Sequence, residues 1–409
     1  MRIYLCIVIV FLNTFSYSQQ KTTLYPFKDV ISGQYGYINN VGKVIIKPTF
    51  DHAEVFNEGV GIISKPKLDR NSGFEDPSDD ARGIINAQGK VIFYSKFFED
   101  NNFLSELSKF HDGLCAFSTL VKNGKSDHGN RLWGFLDSNA QIVIKPKYHY
   151  VSDFHNGFAN AVRIDGEKKI FLLIDKLGKE YDIIPDIPSK YEYDSYDNFA
   201  DFFTNVSTFS DGLIGVKFAN KKWGFINLKG EIIIKPIIDE SGIKSIEVGA
   251  YVYSGPYFQN GKCIAFINDE LCIIDTNGRI VKKLSNDGQI SLFHEGISIF
   301  EVQCLRTISS GNIEKQIQFK GLRAINSDGD ILFELENVHG RDFLFSDGLC
   351  SLHDGVYVDT TGKIVLDLSD KQYKKYGDFI NGVALIYKDG YDDINLIYIN
   401  KKGEIIFEQ

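Results

Sequence analysis

The chain has 409 residues, 43% of them hydrophobic and 24% charged, the balance of a folded rather than a disordered protein. Its formal net charge is −9 with no basic block to offset it, so an acidic surface that repels phosphate backbones excludes nucleic acid as the expected partner. Aromatic residues make up 13%, with 32 Phe and 21 Tyr against one Met and two Trp, which favours pleated, half-buried β structure.

The N-terminus reads as a secretory signal peptide over residues 1–18. Met1-Arg2 gives a positive start, Ile3 to Leu12 an apolar run, and Ser16-Tyr17-Ser18 places small residues before a cut at Gln19. The run is too short to span a bilayer comfortably, and no other apolar run is long enough to try. No Cys follows the small residues, so no lipoprotein anchor is expected. The expected product is residues 19–409, exported to the periplasm, the outside or the cell surface and not membrane-spanning once cleaved. Five Cys remain after cleavage: Cys115, Cys263, Cys272, Cys304 and Cys350. An odd number is no complete disulfide framework, and without a CxxC neither zinc nor thioredoxin-like chemistry has its motif. Most sit in apolar strand contexts as small buried hydrophobes. Cys263 and Cys272 form one weak disulfide candidate across a hairpin.

Past the leader, one hairpin recurs. Its first copy is Tyr35-Gly36-Tyr37-Ile38-Asn39, through Gly42 to Val44-Ile45-Ile46-Lys47-Pro48. Trp133-Gly134-Phe135-Leu136-Asp137 leads through Ala140 to Ile142-Val143-Ile144-Lys145-Pro146. Trp223-Gly224-Phe225-Ile226-Asn227 leads through Gly230 to Ile232-Ile233-Ile234-Lys235-Pro236. Degenerate copies keep the frame: Asn86 with Gly89, Asp175 with Gly178, Asp275 with Gly278, Asn326 with Gly329, Asp359 with Gly362, and Asn400 with Gly403. Asp or Asn nucleates the turn by accepting downstream N–H groups, and the Gly supplies a residue at φ > 0, often as a bulge. The Gly after Trp or Tyr removes a side chain where another backbone or ring must come close. The continuously apolar strands, such as Ile142-Val143-Ile144 and Ile232-Ile233-Ile234, are expected to be covered on both faces.

A second signature alternates with the first: Phe, any residue, an Asp, Glu or Asn, then Gly. The copies are Phe56/Gly59, Phe110/Gly113, Phe154/Gly157, Phe209/Gly212, Phe258/Gly261, Phe293/Gly296, Phe345/Gly348 and Phe379/Gly382. This is a second recurrent turn, opening the strand that leads into the next hairpin.

These motifs resemble the bacterial WG-containing repeat family, whose hallmark is a Trp-Gly-Phe-Ile-Asp-x-x-Gly hairpin, and the resemblance runs through nearly all of residues 19–409. It implies a repeat scaffold and no shared catalytic residues. The expected fold is all-β: about nine tandem units of three to four strands and roughly 43 residues each, the period of four-stranded propeller blades. An open superhelical array is the alternative, because nine units exceed the usual four to eight blades. If the ring closes, Lys21 to Phe27 is the segment expected to pair with the last strand.

Candidate chemistry is sparse. His111, His155 and His294 share one repeat position, just after the motif Phe, and read as polar turn residues rather than ligands. The acidic loops Glu75–Asp80 and Asp389–Asp393 lack EF-hand spacing. No nucleophile, P-loop or dinucleotide motif occurs. No catalytic residue, cofactor or metal is therefore expected. Three insertions break the pattern, Lys65–Asp80, Asp182–Asp201 and Gln303–Gln318, and long loops are where function concentrates. Tyr191, Tyr193 and Tyr196 make the second one aromatic and acidic, which suits a protein or glycan contact or the capping of a neighbouring unit. The expected function is an exported scaffold that binds a protein or polysaccharide. The alternatives are a glycan-active propeller enzyme and a self-associating structural protein of the cell envelope.

Overall fold

The computed structural model describes residues 23–408, apart from 66–80, 95–102, 121–130, 167, 183–205, 240–245, 249–250, 254, 285–289, 292, 311–312, 339–342, 353–354, 372 and 389–395. The expected signal peptide, residues 1–18, thus lies outside the described residues.

The fold starts at the Asx turn. Asp137 Oδ1 accepts from the N–H groups of Asn139 at 2.9 Å and Gln141 at 2.8 Å, while Ala140 N donates to Asp137 O at 2.9 Å. The same pair of side-chain bonds recurs at Asn39, Asn86, Asp175, Asn227, Asp275, Asn326, Asp359 and Asn400. The residue three further on is left-handed every time. Gly42, Gly89, Gly178, Gly230, Gly278, Gly329, Gly362 and Gly403 lie at φ +76° to +79°, and Ala140 at φ +60°.

The glycine after the aromatic residue serves close approach instead. Trp133 pairs with Tyr148 but Phe135 pairs with Ile144, so a bulge of the outer strand sits opposite Gly134. A Cβ on Gly134 would lie 2.4 Å from Ile144 O and 2.7 Å from Pro146 N. Gly36 faces Ile46 O and Pro48 N, and Gly224 faces Ile234 O and Pro236 N, in the same way. Proline is tolerated there because a bulged edge strand needs no donor at that position.

These hairpins build nine antiparallel blades: Tyr25–Phe50, His52–Tyr94, Phe103–Tyr148, Tyr150–Tyr181, Leu213–Ile238, Lys262–Lys283, Ile297–Glu336, Phe345–Asp367 and Lys375–Glu408. Each has three or four strands in sequential order. In blades 5, 6 and 7 the first strand is reduced to isolated bridges, such as Ser210 to Leu213. A separate two-stranded hairpin, Ile246–Val248 with Tyr251–Tyr253, lies between blades 5 and 6. The only helical turn among the described residues is the 3₁₀ segment Ser369–Lys371.

The core is divided among the blade boundaries. Nine hydrophobic clusters of described residues each span one boundary, from Leu24, Tyr37, Phe56 and Ile85 between blades 1 and 2 to Tyr25, Phe27, Val383 and Tyr398 between blades 9 and 1. No blade buries its apolar faces alone, which is why a tandem repeat is required. The motif Phe of one blade meets the aromatic third residue of the preceding hairpin edge-on. Phe56 on Tyr37, Phe154 on Phe135, Phe258 on Phe225 and Phe379 on Tyr357 have centroids 4.7–5.1 Å apart.

The ring is closed, which removes the open-array alternative: the molecule is a nine-bladed β-propeller. Tyr25 Oη donates to Ile380 O at 2.8 Å, Tyr398 donates to Pro26 O, and Phe27 packs on Phe407 at 4.9 Å. Closure differs from the expected strand pairing. Tyr25–Lys28 pairs with Tyr35–Ile38 inside its own blade, and the seam is made by blade faces. A second expectation also fails. Ile142, Val143, Ile232 and Ile233 are not covered on both faces; they begin the outermost strand and are exposed, and only the third residue, Ile144 or Ile234, is buried. The next blade's turn glycine, Gly178 or Gly278, packs over that third residue.

Candidate binding face

Antiparallel alternation fixes which connections share an end of the ring. The first-to-second and third-to-fourth turns of every blade lie at one end, and the second-to-third turns and the crossings to the next blade lie at the other.

The first end is closed by short turns. In the second signature both central residues have φ > 0: Glu58 at +51° with Gly59 at +89°, Asp112 at +54° with Gly113 at +83°, and so on through Asn381 with Gly382. This is the type I′ hairpin, which accounts for Asp, Asn and Gly, but Glu is not a natural left-handed residue. The reason for the acid lies in the next blade. Glu58 Oε2 accepts from Gly113 N at 2.6 Å, Asp112 from Gly157 N at 2.7 Å, Asp211 from Gly261 N at 2.6 Å, and Asp347 from Gly382 N at 2.5 Å. Glu295 accepts from both Asp347 N and Gly348 N, at 2.8 and 2.9 Å. Asn381 carries the pattern across the seam by donating to Thr23 Oγ1 at 2.8 Å.

The residue just before the acid makes a second link. Asn57 donates to Phe110 O at 2.7 Å and Ser346 to Phe379 O at 2.7 Å, while Ser210 bonds Phe258 O and His294 Nδ1 bonds Phe345 O. Of the three His, His294 is thus a member of this inter-blade belt. His111 Nε2 lies 3.6 Å from the buried carboxylate of Asp153, and its ring is 5.2 Å from that of His155. Burial, helped by His111, holds His155 below the usual imidazole range. Among the described residues no three His, Cys, Asp or Glu side chains converge as metal ligands.

Two recurrent roles escaped sequence reasoning: this carboxylate latch, and a serine two residues before the motif Phe. Ser108, Ser152, Ser207 and Ser291 each accept a second-strand N–H through Oγ, at 2.9–3.0 Å. Recurrence at one repeat position was the available signal in both cases.

The four cysteines with described side chains are buried free thiols. Cys115, Cys263 and Cys350 occupy one small core position of the second strand, and burial raises all three thiols, Cys350 to about 12. Cys263 faces Ile274 and Cys272 faces Ala265, so the disulfide candidates are offset by two residues and both are free thiols. The side chain of Cys304 lies outside the described residues.

The opposite end receives every insertion. Residues 66–80 join Lys65 to Ala81 in blade 2, and 183–205 join blade 4 to blade 5. Tyr191, Tyr193 and Tyr196, and the acidic runs Glu75–Asp80 and Asp389–Asp393, lie outside the described residues. Gln303–Gln318 is not a loop. It prolongs blade 7 into a 14-residue hairpin, Ile297–Ser310 paired with Ile313–Asn326.

The structural repeat residues sit in two places. Trp133 and Trp223 are buried at blade boundaries, with Tyr35 half-buried, and Gly36, Gly134 and Gly224 oppose the outer-strand bulges. The profile of the WG containing repeat matches residues 35–65, 133–166, 223–244 and 357–391. The chain carries WG-containing repeats. These matches coincide with the hairpins of blades 1, 3, 5 and 8, and three of them run on into the next blade. No curated protein matches the WG-repeat chain. Solved structures similar to it include a quinonprotein alcohol dehydrogenase-like protein from Bacteroides thetaiotaomicron (12% identity, covering 92% of this chain and 90% of that one, TM-score 0.29). Others are the AfRom2 CNH domain (11% identity, 85% and 94%, TM-score 0.24) and the tricorn protease (10% identity, 95% and 58%, TM-score 0.20). No helix among the described residues of the WG-repeat propeller is long and apolar enough to cross a membrane.

Proposed function

We propose that this WG-repeat propeller is an exported, non-catalytic scaffold that binds a protein or a polysaccharide through the end of the ring bearing the inserted segments. One observation carries the reading. The connections at one end are short turns, the inner ones largely latched to the next blade, whereas 66–80, 183–205, the Ile246–Tyr253 hairpin and the long blade 7 hairpin all leave from the other end. A rigid frame with its variable segments on one face is the arrangement of a binding surface. Tyr191, Tyr193 and Tyr196 belong to one of those segments and are the proposed aromatic contacts. Export rests on the Met1–Ser18 leader.

An affinity pull-down of residues 19–409 against solubilised envelope proteins and purified surface polysaccharides tests this. A saturable partner, lost on deleting 183–205 or shortening the blade 7 hairpin, is the expected result. No partner in either pool rejects the scaffold reading and favours a glycan-hydrolase screen and a self-assembly assay.

A further inference from the structure

The boundary between blades 4 and 5 departs from the carboxylate pattern. Asn156, like Asn260 of blade 6 and Asn381 of blade 9, stands where blades 2, 3, 5, 7 and 8 carry Asp or Glu, and its Nδ2 donates to Phe209 O and Ser210 Oγ at 3.4 Å each. At the same boundary lies a pocket of ≈ 10 Å³ lined by Ser152, Asp153, His155 and Asn160 of blade 4 and Thr208 and Phe209 of the blade 5 first strand. Asn160 is 2% exposed. Its backbone N–H donates to Ser152 Oγ at 2.9 Å, and its Nδ2 donates across the boundary to Ser207 O at 3.4 Å. Its Oδ1 is buried and has no hydrogen-bond partner among the described residues.

A buried acceptor is rarely left unmet, because its desolvation is not recovered elsewhere. The pocket has the size that admits one water, about 10–15 Å³, and it offers the two to four polar partners that a buried water needs. We propose that this boundary binds a single water, held by Asn160 Oδ1 together with the Thr208 hydroxyl and the Asp153 carboxylate, which bridges blades 4 and 5 where the carboxylate latch is replaced by Asn156. The water donates one hydrogen to the amide oxygen and the other to the carboxylate, and accepts from the hydroxyl. A metal or ammonium ion is the competing occupant, since all three groups present oxygen.

The test is a crystal structure of the whole chain at about 1.8 Å, with a second data set from a rubidium chloride soak. The expected result is one density peak about 2.7–3.2 Å from Asn160 Oδ1, with no anomalous signal after the soak. Asn160→Leu removes the acceptor and should abolish the peak. Thr208→Val, at a half-buried site where folding is less at risk, should lower its occupancy. A rubidium peak would assign a cation site and overturn the proposal. So would the lack of any peak in the unsubstituted chain, or a peak at full occupancy in both variants.

Discussion

Blades 2 to 9 each present two turns at the same end of the ring, and they solve the left-handed backbone problem differently. The outer turn is self-contained: Asp275 Oδ1 accepts from Asn277 N and Arg279 N, both within its own hairpin. The inner turn is not: Asp112 reaches Gly157 of the next blade, and Glu295 reaches Asp347 and Gly348. The first makes a hairpin and the second joins hairpins into a ring. An acidic residue therefore means something different at each position, although both look like turn formers in the sequence.

The comparison breaks most sharply at glycines. Gly42 combines φ +76° with a Cβ direction that ends 1.6 Å from Ile406 O of blade 9. Gly42→Ala should cost about 2–4 kcal/mol and lower the melting temperature more than any other single turn change. At Gly134 the backbone is ordinary but the space is not, and Gly134→Ala should cost about 2–3 kcal/mol, measured by denaturant unfolding. Gly212 is the control. It has φ +82° and nothing within 4 Å of an added Cβ, so Gly212→Ala should lose only the left-handed penalty, about 1–2 kcal/mol. Equal losses at all three would mean that close approach between strands and blades plays no part.

Smaller changes probe the side chains. Asp112→Asn should cost about 1 kcal/mol by turning a charge-assisted bond to Gly157 N into a neutral one. Asn156→Asp should stabilise by roughly 0.5–1 kcal/mol by restoring a latch to blade 5, and a decrease in melting temperature would refute the latch. Ala140→Gly should be worth about 0.5 kcal/mol or less, because relief at φ +60° is partly offset by unfolded-state entropy.

The smallest effect is a pH dependence of the outer turns. The Thr361 hydroxyl, with the N–H groups of Thr361 and Lys363, holds Asp359 below the usual carboxylate range; at Asp275 the Arg279 and Asn277 N–H groups outweigh the opposing effect of desolvation. A lowered carboxylate contributes stability above its unfolded value near 3.8 and loses it as pH falls through the folded value. Asp359→Asn should flatten the stability profile below about pH 4, so that its small loss is seen at pH 7 and disappears at acid pH.

Much of this was legible along the chain. The nine Asx turns, the eight Phe-x-(Asp/Glu/Asn)-Gly turns and the unit length follow from short-range rules, since hydrogen bonds two and four residues apart depend only on local sequence. The outer strands were misjudged for a physical reason. Ile142-Val143-Ile144 looks like a strand buried on both faces, but its place at the rim leaves two of the three side chains exposed. Hydrophobic runs report β preference and not position in a sheet. The insertion Gln303–Gln318 likewise looked like a loop, because its alternating sequence pairs only once the 14-residue register of blade 7 is set.

By itself, then, the sequence determined the local chemistry of this WG-repeat propeller: which residues turn, which strands follow, and how many units there are. The tertiary structure decided what depends on contacts between units. It made the inner acids Glu58, Asp112, Asp211, Glu295 and Asp347 latches to the next blade, closed the ring through Tyr25, Phe27, Tyr398 and Phe407 rather than by strand exchange, and sent every insertion to one end. Those outcomes rest on residue pairs dozens to hundreds of positions apart, and a repeat pattern carries no record of which partner a side chain will meet.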